Sequence, residues 1–238
     1  MTILIFTEFI IICFLMAFIL VWLVTEVIVK FIKYQKGTSL STISAFTRTF
    51  DEDTALIPKG LYFDKTHTWA FMEKDGMVKI GIDDFFPHVT GLLTGIKMKN
   101  SGDVIKKNEV FLSLIQNDKQ LNIKAPVSGI IKTQNKALLT NTSLINSSPY
   151  SDGWVYMIEP TNWIGEIQFF FMAEKFITWL ITEFNRLKDF IAIMQKTNET
   201  KYANIVLQDG GKIKGGILMD FRSEVWEDFQ TNFIDKFK

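Results

Sequence analysis

Two histidines, His67 and His88, and one cysteine, Cys13, are all this chain offers of the side chains that most often bind transition metals. A lone cysteine excludes an intramolecular disulfide and any cysteine-based metal or nucleophile site in the rest of the chain. There is no glycine-rich phosphate loop, no Ser/His/Asp or Cys/His set, and no run with metal-ligand spacing. Asp51-Glu52-Asp53 and Asp83-Asp84 read as solvated faces or turn caps, and Lys106-Lys107 as a charged turn. His67 reads as a structural histidine, and Trp69 and Trp154 as core. Lys+Arg 26 balances Asp+Glu 26, so no surface for nucleic acid is indicated. No enzyme, metal or cofactor is expected from these residues. One lysine stands apart by its placement: Lys119 ends the turn Gln116-Asn117-Asp118-Lys119 between the apolar runs Phe111–Ile115 and Gln120–Ile123.

That turn belongs to a stretch of short apolar runs bounded by Gly, Asn, Asp and Pro, the pattern of an all-β unit. Strands are predicted at Thr68–Met72, Met77–Ile82, Gly91–Ile96, Glu109–Ile115, Leu121–Ala125, Ser128–Thr133 and Gly153–Ile158, with a helical turn within Ile82–His88. Lys74–Gly76 makes a hairpin turn. From Gly165 to Lys196 no proline occurs and apolar residues recur at helical spacing. Phe170, Ile177, Leu180, Ile181, Phe184, Leu187, Ile191 and Met194 form one stripe, widened by Phe169, Met172, Phe176 and Trp179. A stripe wider than one packing face implies a further partner or the membrane surface, and a protein partner is favoured because the helix's polar face has no excess of Lys and Arg. A β-hairpin is predicted next, Tyr202–Leu207 and Ile213–Met219 around Gln208–Lys212, then an amphipathic helix at Ser223–Phe237. The fold class is thus α+β.

The N-terminus differs. Phe9 to Thr25 carries no charge, and the apolar stretch runs from Ile3 to Val29, long enough for one tilted bilayer crossing. Lys30, Lys33 and Lys36 follow it and nothing basic precedes it, which predicts a single-pass membrane protein with its C-terminal part cytoplasmic. The expected organisation is an anchor and juxtamembrane segment at 1–36, a linker at 37–59, a β domain at 60–163 and a helix-and-hairpin extension at 164–238.

Three stretches carry a resemblance. Lys65-Thr66-His67-Thr68-Trp69 is followed by Val78-Lys79-Ile80-Gly81-Ile82-Asp83-Asp84. Lys124-Ala125-Pro126-Val127-Ser128-Gly129 comes second. Asn146, Pro149-Tyr150 and Gly153-Trp154 come third. In order and spacing these resemble the H protein of the glycine cleavage system, a lipoyl-domain relative, over roughly Leu61 to Trp163. The resemblance implies a lipoyl-type sandwich in which one hairpin-tip lysine bears lipoate through an amide. Counted back from Ala125-Pro126-Val127-Ser128-Gly129, that lysine falls on Asp118 and the family's acidic residue three earlier on Ile115. A carboxylate cannot form the lipoyl amide. Lys119 is one residue out of register, and a one-residue slip reverses the face.

The expected function is a non-catalytic, membrane-anchored accessory subunit that docks other subunits of a membrane complex, with the bilayer engaged through residues 3–29. The alternatives are a tethered carrier lipoylated at Lys119, or an adaptor subunit of a transport system. The docking surface is expected at Phe169, Phe170, Phe171, Met172 and Trp179, because four consecutive large apolar residues on a helix cannot all face one core.

Overall fold

The computed structural model describes Met16, Trp22, Thr25, Glu26, Pro58, residues 60–197 and residues 215–236. The chain divides into two compact units, Met1–Ser44 and Ala45–Lys238. The span expected at 3–29 lies outside the described residues, except for Met16, Trp22, Thr25 and Glu26, which are helical. Among the described residues no helix is long and apolar enough to cross a membrane.

The second unit is built on two antiparallel sheets. Six strands run in the order β1-β2-β3-β9-β8-β5: β1 Tyr62–Asp64, β2 Thr68–Met72, β3 Val78–Ile82, β9 Tyr156–Pro160, β8 Gly129–Gln134 and β5 Val104–Ile105. Three more run β4-β6-β7: β4 Gly95–Met98, β6 Val110–Gln116 and β7 Lys119–Lys124. Alternation explains their faces: in β3 the side chains of Val78, Ile80 and Ile82 are fully buried, while Lys79 reaches out to pair with Glu73. Tyr156 joins the sheets, its hydroxyl donating to Phe111 O at 2.9 Å and accepting from Lys99 N at 2.6 Å. Gly129 lies where β8 runs close to β9, and a Cβ there would stand 2.5 Å from Glu159 O.

Helices cover this frame. They are α1 Phe85–Thr90, α2 Ala137–Thr140, α3 Leu144–Ser147, α4 Trp163–Ile167, α5 Ala173–Thr197 and α6 Ser223–Phe229. A 3-10 turn at Ile217–Asp220 precedes α6, and a π-helical turn at Gln230–Asp235 continues it. The three family-like stretches meet. Trp69 Nε1 donates to both Ile82 O at 2.9 Å and Pro149 O at 3.1 Å, and Tyr150 OH donates to Asp84 Oδ1 at 2.9 Å.

Four expectations are corrected. The helix expected from Gly165 to Lys196 is broken between α4 and α5. Phe171 leaves the helix because its N–H and C=O pair with Phe63 on the edge of β1, at 2.8 and 2.9 Å. The four apolar residues 169–172 are therefore not a helical run. The strand expected at Gly91–Ile96 begins only at Gly95, since Gly91, at φ 71°, is occupied closing α1 through its N–H to Pro87 O. The second hairpin strand expected to end at Met219 is instead the 3-10 turn from Ile217; its partner Tyr202–Leu207 lies outside the described residues. Finally, Phe176 and Trp179, two of the four residues that widen the stripe, are packed within the chain. Phe176, Leu180 and Leu187 are buried, and Phe190 meets Phe229 at 6.0 Å and Phe233 at 5.6 Å on the C-terminal helix. The expected division at 163/164 therefore falls inside one core, which Phe176, Trp226 and Phe233 share with Trp69 and Ile80.

Candidate functional site

The hairpin β6–β7 closes at Gln116 and Lys119, with Asn117 and Asp118 between them. Asn117 takes φ 56°, a conformation asparagine tolerates better than most residues, and its N–H donates to Thr94 Oγ1 at 2.8 Å. Asn117 and Asp118 are exposed. Asp118, where the count back from Ala125-Pro126-Val127-Ser128-Gly129 expects the family's arm-bearing lysine, thus presents a carboxylate to solvent. Ile115, three before it, is half-buried on β6 opposite Gln120.

Lys119 points elsewhere. Its ammonium donates to Met219 O at 2.9 Å and lies 5.7 Å from the Trp226 ring. The same C-terminal segment follows the open edge of β7. Gln230 uses its amide as a substitute for a neighbouring strand: Oε1 accepts from Asn122 N at 2.8 Å and Nε2 donates to Asn122 O at 3.0 Å. Lys124 Nζ pairs with Asp235 at 3.0 Å. An edge strand is a ready template for pairing with another chain, and here the edge is closed from within. Trp226, Phe229 and Phe233 are essentially inaccessible, so this cover is part of the core and not a loose flap.

A buried polar line joins Asp83, His67 and Glu183. His67, at φ 57°, holds Asp83 Oδ2 at Nδ1 (2.9 Å) and faces Glu183 Oε2 from Nε2 at 3.9 Å, too long for a hydrogen bond but an ion pair when the imidazole is protonated. Its ring stacks on Phe85 at 4.0 Å and meets Trp179 at 4.8 Å. Burial pushes the His67 pKa down, but the Asp83 and Glu183 carboxylates outweigh it and the net shift is upward. Burial likewise pushes Glu183 up, yet His67 and Arg186 hold it below the usual carboxylate range. Beside them, burial and the neighbouring Asp83 raise Asp84 to about 6, against the Tyr150 hydroxyl bonded to it. Arg186 bonds Glu183 and donates to Asn232 O at 2.7 Å, carrying the line from β2 through α5 to the C-terminal helix. A histidine held this way positions elements; it has no access to a substrate.

The expected docking residues separate into two groups. Phe170, Phe171 and Trp179 pack against the core, with Phe171 stacked on Trp179 at 5.7 Å. Phe169 is 68% and Met172 55% exposed, and Ile164, not among the expected set, is 84% exposed. The sequence reading also missed Gln230, Trp226 and Glu183. Glu183 could have been found, since it falls on the buried stripe between Leu180 and Leu187, where a charge requires a partner.

Comparison with known proteins finds relatives for part of the chain. Residues 61–180 match the family described as Glycine cleavage H-protein. The probable glycine cleavage system H protein of Pyrococcus abyssi is 32% identical over 124 residues, covering 52% of this chain and 92% of the relative. That of Stenotrophomonas maltophilia is 35% identical over 106 residues, covering 44% of this chain and 81% of the relative. A crystal structure of a glycine cleavage system H protein from Mycobacterium marinum aligns with TM-score 0.47 and 23% identity over 52% of this chain and 98% of its own. The family match stops at residue 180, inside α5, so the segment that covers the hairpin lies beyond it.

Proposed function

The chain belongs to the glycine cleavage H-protein family, and from that premise we propose that it is a non-catalytic member that carries no lipoate, anchored by residues 3–29 and serving to dock other subunits of a membrane-associated complex. The observation that carries this reading is the hairpin tip. A swinging arm must start from a free, solvated amine, yet the exposed tip position is Asp118 and the nearest amine, Lys119, is bonded to Met219 O beside Trp226. A carrier function at Lys119 would require that contact to be broken and the side chain turned to the other side of the strand. Docking is favoured because a fold can persist after its chemistry is lost, the site being separable from the scaffold. The cytoplasmic placement rests on the lysines after the apolar stretch.

Two measurements test it. The intact mass of protein isolated from its native source is expected to show no lipoyl adduct; an adduct localised to Lys119 would overturn the reading. Purification in mild detergent is expected to bring other subunits along, and a monodisperse monomer without them would count against docking.

A further inference from the structure

We propose that His67 is a proton-operated latch that fastens the C-terminal segment, residues 217–235, over the hairpin β6–β7. The imidazole is fully buried and has a carboxylate at each ring nitrogen, Asp83 Oδ2 at 2.9 Å from Nδ1 and Glu183 Oε2 at 3.9 Å from Nε2. The Asp83 carboxylate only accepts, so Nδ1 carries a hydrogen in either charge state of the ring. Nε2 carries one only in the imidazolium. Losing that proton therefore turns a lone pair toward Glu183, and the attraction across 3.9 Å becomes a repulsion. Among the described residues Nε2 has no hydrogen-bond partner, so no other polar group compensates.

The remaining charged and titratable groups around the ring do not replace the proton. Asp84, next to Asp83, is held by the Tyr150 hydroxyl at 2.9 Å, and Asp64, on the turn before His67, is taken up by Thr66 and Lys107. Phe85, Phe86 and Trp179 form the other walls, and His88 turns to Phe184 at 6.0 Å. The C-terminal helix reaches Phe85 only with the rings of Phe229 and Phe233. Burial works against charging His67, yet the two carboxylates outweigh it and the ring keeps its proton above 6.5.

What the latch fastens follows from where its two sides lie. His67 belongs to the part matched by the family, residues 61–180, whereas Glu183, Arg186 and Asn232 lie beyond it. Arg186 bonds Glu183, donates to Asn232 O at 2.7 Å and lies 4.8 Å from the Phe233 ring. The same segment closes the β7 edge through Gln230 and holds Lys119 through Met219 O. Deprotonation of His67 thus favours a state in which the edge and the lysine are uncovered. Burial of Trp226, Phe229 and Phe233 keeps that state a minor one, so the proton changes its population and not the fold. The latch lies within Ala45–Lys238 and is independent of the anchor.

The test follows amide hydrogen exchange in the full chain in mild detergent, corrected at each pH for the intrinsic rate. Two amides are compared: Asn122, whose N–H donates to Gln230 Oε1 at 2.8 Å, and Val155, whose N–H donates to Ile80 O at 2.8 Å within the frame. The charge of His67 is read in the same samples from the ring-nitrogen shifts of labelled histidine. The opening constant at Asn122 is expected to rise with pH across the His67 titration, by at most about tenfold per pH unit, while Val155 does not follow. Glu183→Gln should move the His67 titration to lower pH and flatten the rise. His67→Asn, which tolerates the positive φ and takes no charge, should abolish it. The proposal is overturned if opening at Asn122 is unchanged across the titration, or if it rises equally in His67→Asn. It is also overturned if Asn122 and Val155 rise together, because the segment then lifts only when the whole domain unfolds. Should neither variant fold, the two amides and the ring titration of the wild-type chain decide alone.

Discussion

Glu183→Gln tests whether the buried line from Asp83 to the C-terminal helix holds the two halves of the domain together. The substitution keeps the shape of the side chain and removes its charge. His67 loses the carboxylate at 3.9 Å from Nε2 but keeps Asp83 at 2.9 Å, and Arg186 keeps Asn232 O. Breaking a buried pair from one side costs about 3–5 kcal/mol when the other charge is stranded. Here His67 can discharge and Arg186 is partly exposed, so the loss should be nearer that of a charged hydrogen bond, about 1.5–3 kcal/mol. Urea unfolding followed by tryptophan fluorescence should show a lower midpoint with an unchanged slope. The pH dependence has a definite sign. His67 is raised above 6.5, so its stabilisation is complete below 6.5 and is lost as pH rises through the folded value. Glu183 is lowered below 4.5, so its share is complete above 4.5 and is lost as pH falls through the folded value. The difference between wild type and Glu183→Gln should therefore be larger at about pH 6 than at a pH above the folded value of His67. A loss under about 0.5 kcal/mol at the lower pH, or equal losses at both, would refute the argument.

Two further outcomes follow from packing. Gly129→Ala places a Cβ 2.5 Å from the Glu159 carbonyl, a backbone atom that cannot swing away, and should cost about 1–3 kcal/mol in thermal or urea unfolding. Trp226→Ala should cost about 3–5 kcal/mol, because the ring is 1% exposed and its Nε1 donates to Leu218 O at 2.8 Å. In material of that variant which remains folded, mild acetylation read by mass spectrometry should modify Lys119 faster relative to Lys132 than in wild type; an unchanged ratio would mean that the C-terminal segment does not shield it.

Much of this protein is legible from local pattern. Short apolar runs bounded by turn residues locate β2, β3, β6, β7 and β8 within a residue or two, because a buried strand must end where the chain turns back. The helical stripe of α5 is legible from its own period, and so is the hairpin tip at Gln116–Lys119, a polar turn between two apolar runs. What remained hidden depends on contacts between distant positions. Residues 168–172 have helical spacing, yet Phe171 gives its backbone to Phe63, over a hundred residues earlier, and no local preference registers that pairing. The extra width of α5 is real in the sequence, but whether a lipid, another protein or the chain's own tail covers it is decided only where Phe229 and Phe233 arrive beside Phe190. Lys119 shows the same division most clearly. Its type and its place at the end of the turn are set by sequence; its engagement with Met219, one hundred positions on, exists only because the C-terminal helix buries Trp226 against the same hairpin.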